Sequence, residues 1–291
     1  MKRCFREKKF GADALARIAA ANKIIAKYES QGLRLTLRQL YYQFVVANLI
    51  KNEEKAYKNL GGLISDARLA GLIDWNAIED RVRQPVVWQS FNDPGAAVEY
   101  AIERYCLDPW REQSNYVELW VEKDALAGVL RPIASEYHVT MMVNRGYSSQ
   151  SAMFESAQRF RQHNQKDCTL IYLGDHDPSG EDMVRDIRDR LSMFRVDVAV
   201  EKLALTMAQV EEYDPPPNPA KMSDSRAQRY VEEHGRSSWE VDALPPETLR
   251  ELITARLSLL VDAEERDRVT AQEETDRAAL QKMAKKLHRE E

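Results

Sequence analysis

Between residues 117 and 200 short β-forming runs alternate with helical stretches, and this alternation constrains the fold more than any other feature of the chain. Residues 117–121, 139–143, 169–173 and 196–200 are strand-length and apolar, with amphipathic stretches between them. Strands separated by helices cannot pair as hairpins, so the pattern implies a mainly parallel sheet covered by helices on both faces. Residues 239–244 are a candidate further strand, and Pro245 starts a helix reaching to about residue 260. The fold class expected is therefore α/β, with a helical N-terminal domain over 1–95, an α/β domain over 96–261 and a charged C-terminal helix or tail over 262–291.

The N-terminal part reads as three helices. Leu15, Ile18, Ile25 and Tyr28 share one face between about residues 12 and 31, and Gly32 supplies a stop. Thr36 and Gln39 then form a Thr-x-x-Gln capping box, with Leu35 and Leu40 placed as a hydrophobic staple, opening a helix over about 37–49. After a polar turn at 51–55, a third helix over about 57–70 turns Leu60, Leu63, Ile64 and Ala67 inward. Two helices joined by a short turn, followed by possible wing strands in 73–87, read as a winged helix-turn-helix. Asn92-Asp93-Pro94-Gly95 is a strong turn signal and serves as the expected linker. In the C-terminal segment Val269, Leu280, Met283 and Leu287 make only an intermittent apolar stripe, so a solvated tail is the simpler reading and a partner-binding helix the sharper one.

Charge divides unevenly. The chain carries 42 Lys+Arg and 47 Asp+Glu, a net charge of -5, yet its first 95 residues hold 16 basic and 10 acidic side chains. A basic N-terminal part beside an acidic remainder suits a DNA-docking module joined to a cation-binding site, although chance asymmetry accounts for the same numbers. No apolar run approaches the ~20 residues that span a bilayer, and the Met-Lys-Arg start is followed by charge, so a cytoplasmic protein without a membrane partner is expected. Cys4, Cys106 and Cys168 are too few and too scattered for a disulfide framework or a zinc site.

The sharpest segment is Thr169-Leu-Ile-Tyr-Leu-Gly-Asp-His-Asp-Pro-Ser-Gly180, a strand that runs directly into Asp175 and Asp177 and then a helix. Glu122 ends the earlier strand in the same way. Residues at the C-terminal ends of parallel strands face the ligand crevice of an open α/β sheet. If the two strands are neighbours, three carboxylates meet at one edge, and such a cluster calls for a hard divalent cation. Magnesium, with manganese as the alternative, would then clamp phosphate oxygens for in-line displacement. Two plainer readings compete. Residues 175–186 superficially fit a calcium loop, but a strand precedes it and Asp182 sits at a position usually apolar. Asp and Gly after a strand also form an ordinary turn, with Asp177 or Ser179 as the helix cap.

A Glu at one strand end and Asp-x-Asp-x-x-Gly at another resembles the Toprim domain of topoisomerases, primases and some nucleases. Glu122-Lys123 with Ala125, Arg145-Gly146-Tyr147 and Asp175-His-Asp-Pro-Ser-Gly180 resemble more narrowly the A subunit of topoisomerase VI and the related meiotic double-strand-break transesterases. That resemblance implies Glu122 as metal ligand or general acid/base, Asp175 and Asp177 as metal ligands, and Gly146 as a site of close backbone approach. The family's Gly-x-Gly-Tyr-Pro is altered here, with Asn144 and Ser148 at its first and last positions. The family's nucleophilic tyrosine follows an arginine by four residues, and Arg38 and Tyr42 match that spacing. Periodicity independently turns Leu37, Leu40, Tyr41, Phe44 and Val45 inward and leaves Tyr42 on the face shared with Arg38, whose charge would favour the phenolate.

The resemblance spans residues 33–260 and implies a homodimer in which each Tyr42 meets the other protomer's metal site. It further implies reversible attack of Tyr42 on double-stranded DNA, a 5′-phosphotyrosine link and a free 3′ hydroxyl. The chain is shorter than topoisomerase subunits, resembles a compact prokaryotic or mobile-element branch, and has no Walker A pattern, so ATP-driven strand passage would need a separate ATPase subunit. Lys58, Arg68, Arg81, Arg83, Lys123 and Arg145 are candidate DNA contacts. Glu240 and Asp242, two apart on the candidate strand, either complete the acidic site or cap the sheet. The competing functional readings are a Toprim nuclease using metal-activated water and a non-catalytic DNA-binding adaptor.

Overall fold

A computed structural model of the chain describes residues 2–78, 88–144, 146–220, 222, 224 and 226–287, the side chains of 286 and 287 excepted. Three helices open it: α1 (Ala12–Glu29), α2 (Leu37–Val46) and α3 (Glu54–Leu69). The capping box forms as its residue types require. Thr36 N donates to Gln39 Oε1 at 2.9 Å, while Gln39 N returns a bond of 3.3 Å to Thr36 Oγ1. Leu35 and Leu40, on either side of the cap, are fully buried. Ile18, Ala21, Ile25 and Tyr28 face this core from α1, but Leu15 is exposed and Leu63 of α3 only half-buried, so the stripes are narrower than the spacing suggested. Of the stretch expected to hold wing strands, residues 79–87 lie outside the described ones; within 73–78 the only bridge is a single parallel one between Ile78 and Leu35.

The Asn92–Gly95 signal coincides with a helix start. Asp93 accepts a hydrogen bond from Ala96 N at 2.8 Å and Pro94 occupies the first turn of α4 (Pro94–Glu103). Aspartate before proline satisfies a turn and an N-cap equally well, and here the ten-residue helix decides the outcome.

Next come β1 (Asn115–Val121), α5 (Asp124–Glu136), β2 (Thr140–Val143), α6 (Gln150–Gln162), β3 (Asp167–Leu173), α7 (Pro178–Met193) and β4 (Ala199–Ala204). The four strands form one parallel sheet in the order β2-β1-β3-β4. β4 begins three residues later than the apolar run 196–200 indicated; Val196 and Val198 pack as half-buried lead-in residues. On one face Leu119, Val121, Ile171 and Leu173 pack with Leu126 and Leu130 of α5; on the other Trp120 and Tyr172 pack with Met153 of α6 and Met183 of α7. The sheet is thus covered on both sides, as the continuous apolar runs require.

After the sheet come α8 (Met207–Tyr213), α9 (Ala227–His234), α10 (Pro246–Ser258) and α11 (Ala263–Leu287). Residues 239–244 are not a further strand of the sheet. Trp239 makes one antiparallel bridge to His176, and Val241–Ala243 is a single 3-10 turn. Ala243 of that turn is buried in the core of α1–α3, so the turn joins the helical part of the chain to the sheet. Nor is the C-terminal segment a solvated tail. From α11, Asp276 accepts from Tyr105 Oη at 2.8 Å, Glu273 from Leu107 N at 2.9 Å, and Arg277 donates to Tyr105 O at 2.5 Å. Val269 and Ala284 are buried, whereas Met283 is exposed. Among the described residues no helix is long and apolar enough to cross a membrane.

Candidate active site

The register of the two central strands brings the acidic residues together. Val121 lies opposite Leu173, and the ladder continues one step further through Glu122 N to Leu173 O at 2.8 Å. Glu122 is therefore beside Gly174, and its Oε2 accepts a hydrogen bond of 2.9 Å from Asp175 N. Glycine at 174 is a steric requirement: a Cβ there would stand 2.5 Å from the Tyr172 ring and 2.9 Å from Glu122 Oε2. Gly180 is equally constrained, because a Cβ would meet Asp175 O at 2.1 Å. Gly146 differs. Nothing lies within 4 Å of its would-be Cβ, and its φ of +91° is what calls for glycine.

Asp177 caps α7, as the plain reading of the turn anticipated. Its Oδ1 accepts from Gly180 N at 2.6 Å and from Ser179 Oγ at 2.8 Å. Asp175 faces the other way. Its Oδ1 accepts from Val241 N at 2.9 Å, and its Oδ2 is 2.9 Å from Lys123 Nζ. Several ties hold this loop in place. His176 exchanges backbone bonds with Trp239, its Nδ1 is 2.7 Å from Tyr230 Oη, and Lys202 Nζ donates to Asp175 O at 2.7 Å. The pattern of the sequence did not single out Tyr230 or Lys202 as partners of the acidic loop, because they reach it from α9 and β4.

Lys123 is the centre of the cluster. Besides Asp175, it lies 2.9 Å from Glu240 Oε2 and 3.2 Å from Asp242 Oδ1. It is thus held among carboxylates at the edge of the cleft beside Glu122. Arg38, from α2, is held by the same pair. Its Nε is 2.9 Å from Asp242 Oδ2 and its guanidinium is also bonded to Glu240. Glu240 and Asp242 therefore belong to the site, though through a 3-10 turn rather than the strand alternation that drew attention to them.

Tyr42 lies under Arg38, with its Oη 3.5 Å from Arg38 Nη2 and the guanidinium carbon 5.7 Å from its ring centre. Tyr41 is inward as expected, its hydroxyl donating to Asn52 Oδ1 at 2.9 Å, but Tyr42 is buried too. Arg38 does favour the phenolate, as expected, but its pull is outweighed. Burial raises the Tyr42 pKa well above the usual phenol range, Asp242 and Glu240 raise it further, and Arg38 opposes them without prevailing.

The carboxylates respond to the same crowding. Burial, with the charges of Glu122 and Asp242, pushes Asp175 up to about 7 against the opposing pull of Lys123. Glu122 is raised by burial, which its bond from Asp175 N and the charge of Lys123 only partly offset. Glu240 goes the other way. Burial acts to raise it, but Lys123 and Arg38 together hold it down at about 2. Among the described residues no three His, Cys, Asp or Glu side chains are gathered as a ready metal-binding group. The donor chemistry nevertheless fits a hard cation: the half-buried Glu122 and the buried Asp175 are oxygen donors whose ionised forms lack sufficient positive charge, a deficit that a divalent ion corrects. Glu122 lines a cleft of about 380 Å³ together with Arg38, Lys123, Asp124, Ala125 and Gly146, large enough for an ion with several waters.

The remaining candidate DNA contacts are scattered. Lys58 is paired with Glu54 at 2.7 Å on the exposed side of α3. Arg68 donates to Trp75 O at 2.6 Å and covers the Trp75 ring, so it is engaged within the chain. Arg81, Arg83 and Arg145 lie outside the described residues. No protein-family model matches the chain, and no curated protein matches it.

Proposed function

We propose that the chain cleaves double-stranded DNA by a metal-dependent transesterification, with Tyr42 as nucleophile and Glu122, Asp175 and Asp177 as the acidic set. In this reading the helical part is a winged-helix module and the sheet a Toprim domain, an arrangement that resembles the cleaving subunit of a type IIB topoisomerase. The observation that carries it is the contact between Glu122 Oε2 and Asp175 N, which makes neighbours of two carboxylates separated by 53 positions in the sequence. Magnesium or manganese, when bound by these residues, supplies positive charge at the scissile phosphate.

The chain's own residues account for the rest of the chemistry. Tyr42 Oη forms a bond to phosphorus, the bond from phosphorus to the 3′ oxygen breaks, and the phenol proton ends on that oxygen. Arg38 steadies charge on the attacked phosphate. Since Arg38 is bound by Glu240 and Asp242, a DNA phosphate must replace those carboxylates before Arg38 and Tyr42 can act. A homodimer that exchanges Tyr42 between protomers, and a separate ATPase subunit for strand passage, belong to the same proposal.

A second reading has its own support. The raised pKa of Tyr42 favours hydrolysis by a metal-activated water, with the helical part only gripping DNA. Incubation with supercoiled DNA and magnesium, followed by denaturation, separates the two. Transesterification leaves a covalent protein–DNA adduct that Tyr42→Phe abolishes. Nicked DNA without adduct, at equal rates in the parent and Tyr42→Phe, establishes hydrolysis instead. DNA binding with no cleavage in magnesium or manganese would leave only the adaptor reading.

A further inference from the structure

Away from the carboxylate cleft, the N-terminal segment and the end of α3 build a second concavity of different chemistry. Phe5 N and Arg6 N both donate to Leu69 O, at 2.8 and 3.0 Å, and Cys4 bridges Ala70. The segment is therefore fixed across the C-terminal end of α3. Gly71 permits this close approach, since a Cβ there would stand 2.8 Å from Cys4 N.

Two aromatic rings meet at this strap. Phe5 and Trp75 are edge to face, centroids 5.5 Å apart and planes at 82°. The Arg3 guanidinium lies 5.1 Å from the Phe5 ring centre, and that of Arg68 lies 4.7 Å from the Trp75 ring centre. Trp75 is anchored at both ends, its Nε1 donating to Arg3 O at 3.3 Å and its carbonyl accepting from Arg68. Together with Leu69 and Asn76, Arg3, Phe5 and Trp75 line a pocket of about 570 Å³. Phe5 remains 60% exposed although its backbone is fixed. Residues 2–9 contribute Lys2, Arg3, Arg6, Lys8 and Lys9 against the single acid Glu7.

An exposed aromatic alone means little. A preformed aromatic corner at the mouth of a pocket, with cations at its rim, is a different matter: it offers a π surface to a planar ring and positive charge to the phosphates on either side. A duplex keeps its bases stacked on one another and cannot enter such a corner. We propose that Phe5, Trp75 and Arg3 form a stacking site for a base of an unpaired DNA strand, separate from the carboxylate cleft. That the strand is DNA rests on the function proposed above; the stacking rests on this pocket alone.

The test is fluorescence anisotropy of the full chain, without divalent metal, on a labelled oligothymidylate about 12 nucleotides long and on an abasic strand of the same length and charge. The parent binds the oligothymidylate about 10-fold more tightly than the abasic strand, the loss expected for one stacked base. Phe5→Leu keeps the apolar volume and removes the ring; it loses that 10-fold preference while binding the abasic strand as the parent does, which also reports that it is folded. Phe5→Tyr retains the preference. Equal affinity of the parent for both strands, an undiminished preference in Phe5→Leu, or no binding of oligothymidylate overturns the proposal. Tighter binding of oligouridylate than of oligothymidylate overturns the assignment to DNA. Because neither cleavage nor metal enters the measurement, its failure and that of the proposed strand cleavage are told apart.

Discussion

Lys123 Nζ lies 2.9 Å from Asp175 Oδ2 at the C-terminal rim of the sheet, a cation enclosed by three carboxylates from two separate stretches of the chain. The ammonium neutralises part of the charge that would otherwise oppose bringing Asp175, Glu240 and Asp242 together.

It follows that removing this ammonium leaves buried carboxylates uncompensated. Lys123→Met, which keeps most of the side-chain volume, is expected to lose about 3 kcal/mol of stability in the absence of metal. A divalent cation would supply the missing charge, so magnesium should restore much of that loss in Lys123→Met while stabilising the parent less. Chemical denaturation of both proteins with and without magnesium reads this directly. An equal magnesium effect on the two would show that the ion binds elsewhere or not at all.

The same crowding sets a pH dependence. Asp175, faced by Lys123, Glu122 and Asp242 and with Lys202 on its backbone carbonyl, is raised to about 7. A carboxyl raised on folding binds its proton more tightly in the folded state. Its contribution to stability is therefore complete below the unfolded value near 3.8 and is lost as pH rises through about 7. Metal binding needs the ionised form, so the magnesium-induced rise in Tm should be larger at about pH 8 than at about pH 6. Asp175→Asn should remove both the pH dependence and the magnesium response while leaving the metal-free Tm at about pH 8 no lower than that of the parent. A magnesium response independent of pH across this range would count against Asp175 as a ligand.

What the sequence disclosed, and what it hid, follows from how local each signal is. The Thr36 and Gln39 cap, and the strands ending at Glu122 and Asp175, are written in neighbouring residues whose periodicity or hydrogen-bonding chemistry has one dominant solution. Residues 239–244 alternate as a strand would, but tertiary bonds override the pattern: Trp239 is taken by His176 and Val241 N by Asp175 Oδ1, and the chain then turns through Val241–Ala243. Lys123 could not be placed by its own charge. Whether a lysine meets phosphate or carboxylate depends on partners 52, 117 and 119 positions away. Tyr42 was legible in its spacing from Arg38, yet its depth and the acids beside it come from another element.

Gly174→Ala tests how tightly the two strand ends are matched. The added methyl would overlap the Tyr172 ring and crowd Glu122 Oε2 at the point where it accepts from Asp175 N. Overpacking of this kind costs about 1–3 kcal/mol. It should also displace the Glu122 carboxylate, so the variant is expected to lose the magnesium-induced Tm shift by more than its lowered stability explains. A variant with parental stability and an intact magnesium response would mean that the rim is looser than the contacts indicate.

The contact between Arg38 and Asp242 links the helix carrying Tyr42 to the acidic site of the same chain. Asp242 is fully buried and receives Arg38 Nε at 2.9 Å and Lys123 Nζ at 3.2 Å, so removing either partner leaves charge without its counterpart. Arg38→Met and Asp242→Asn should each be destabilising, and the double variant less so than their sum. A coupling energy of about 2 kcal/mol from a double-mutant cycle in denaturant is expected for groups in one buried network. Additive losses would show that Lys123 alone holds Asp242, and that Arg38 is already free to meet a phosphate without first giving up its carboxylate partners.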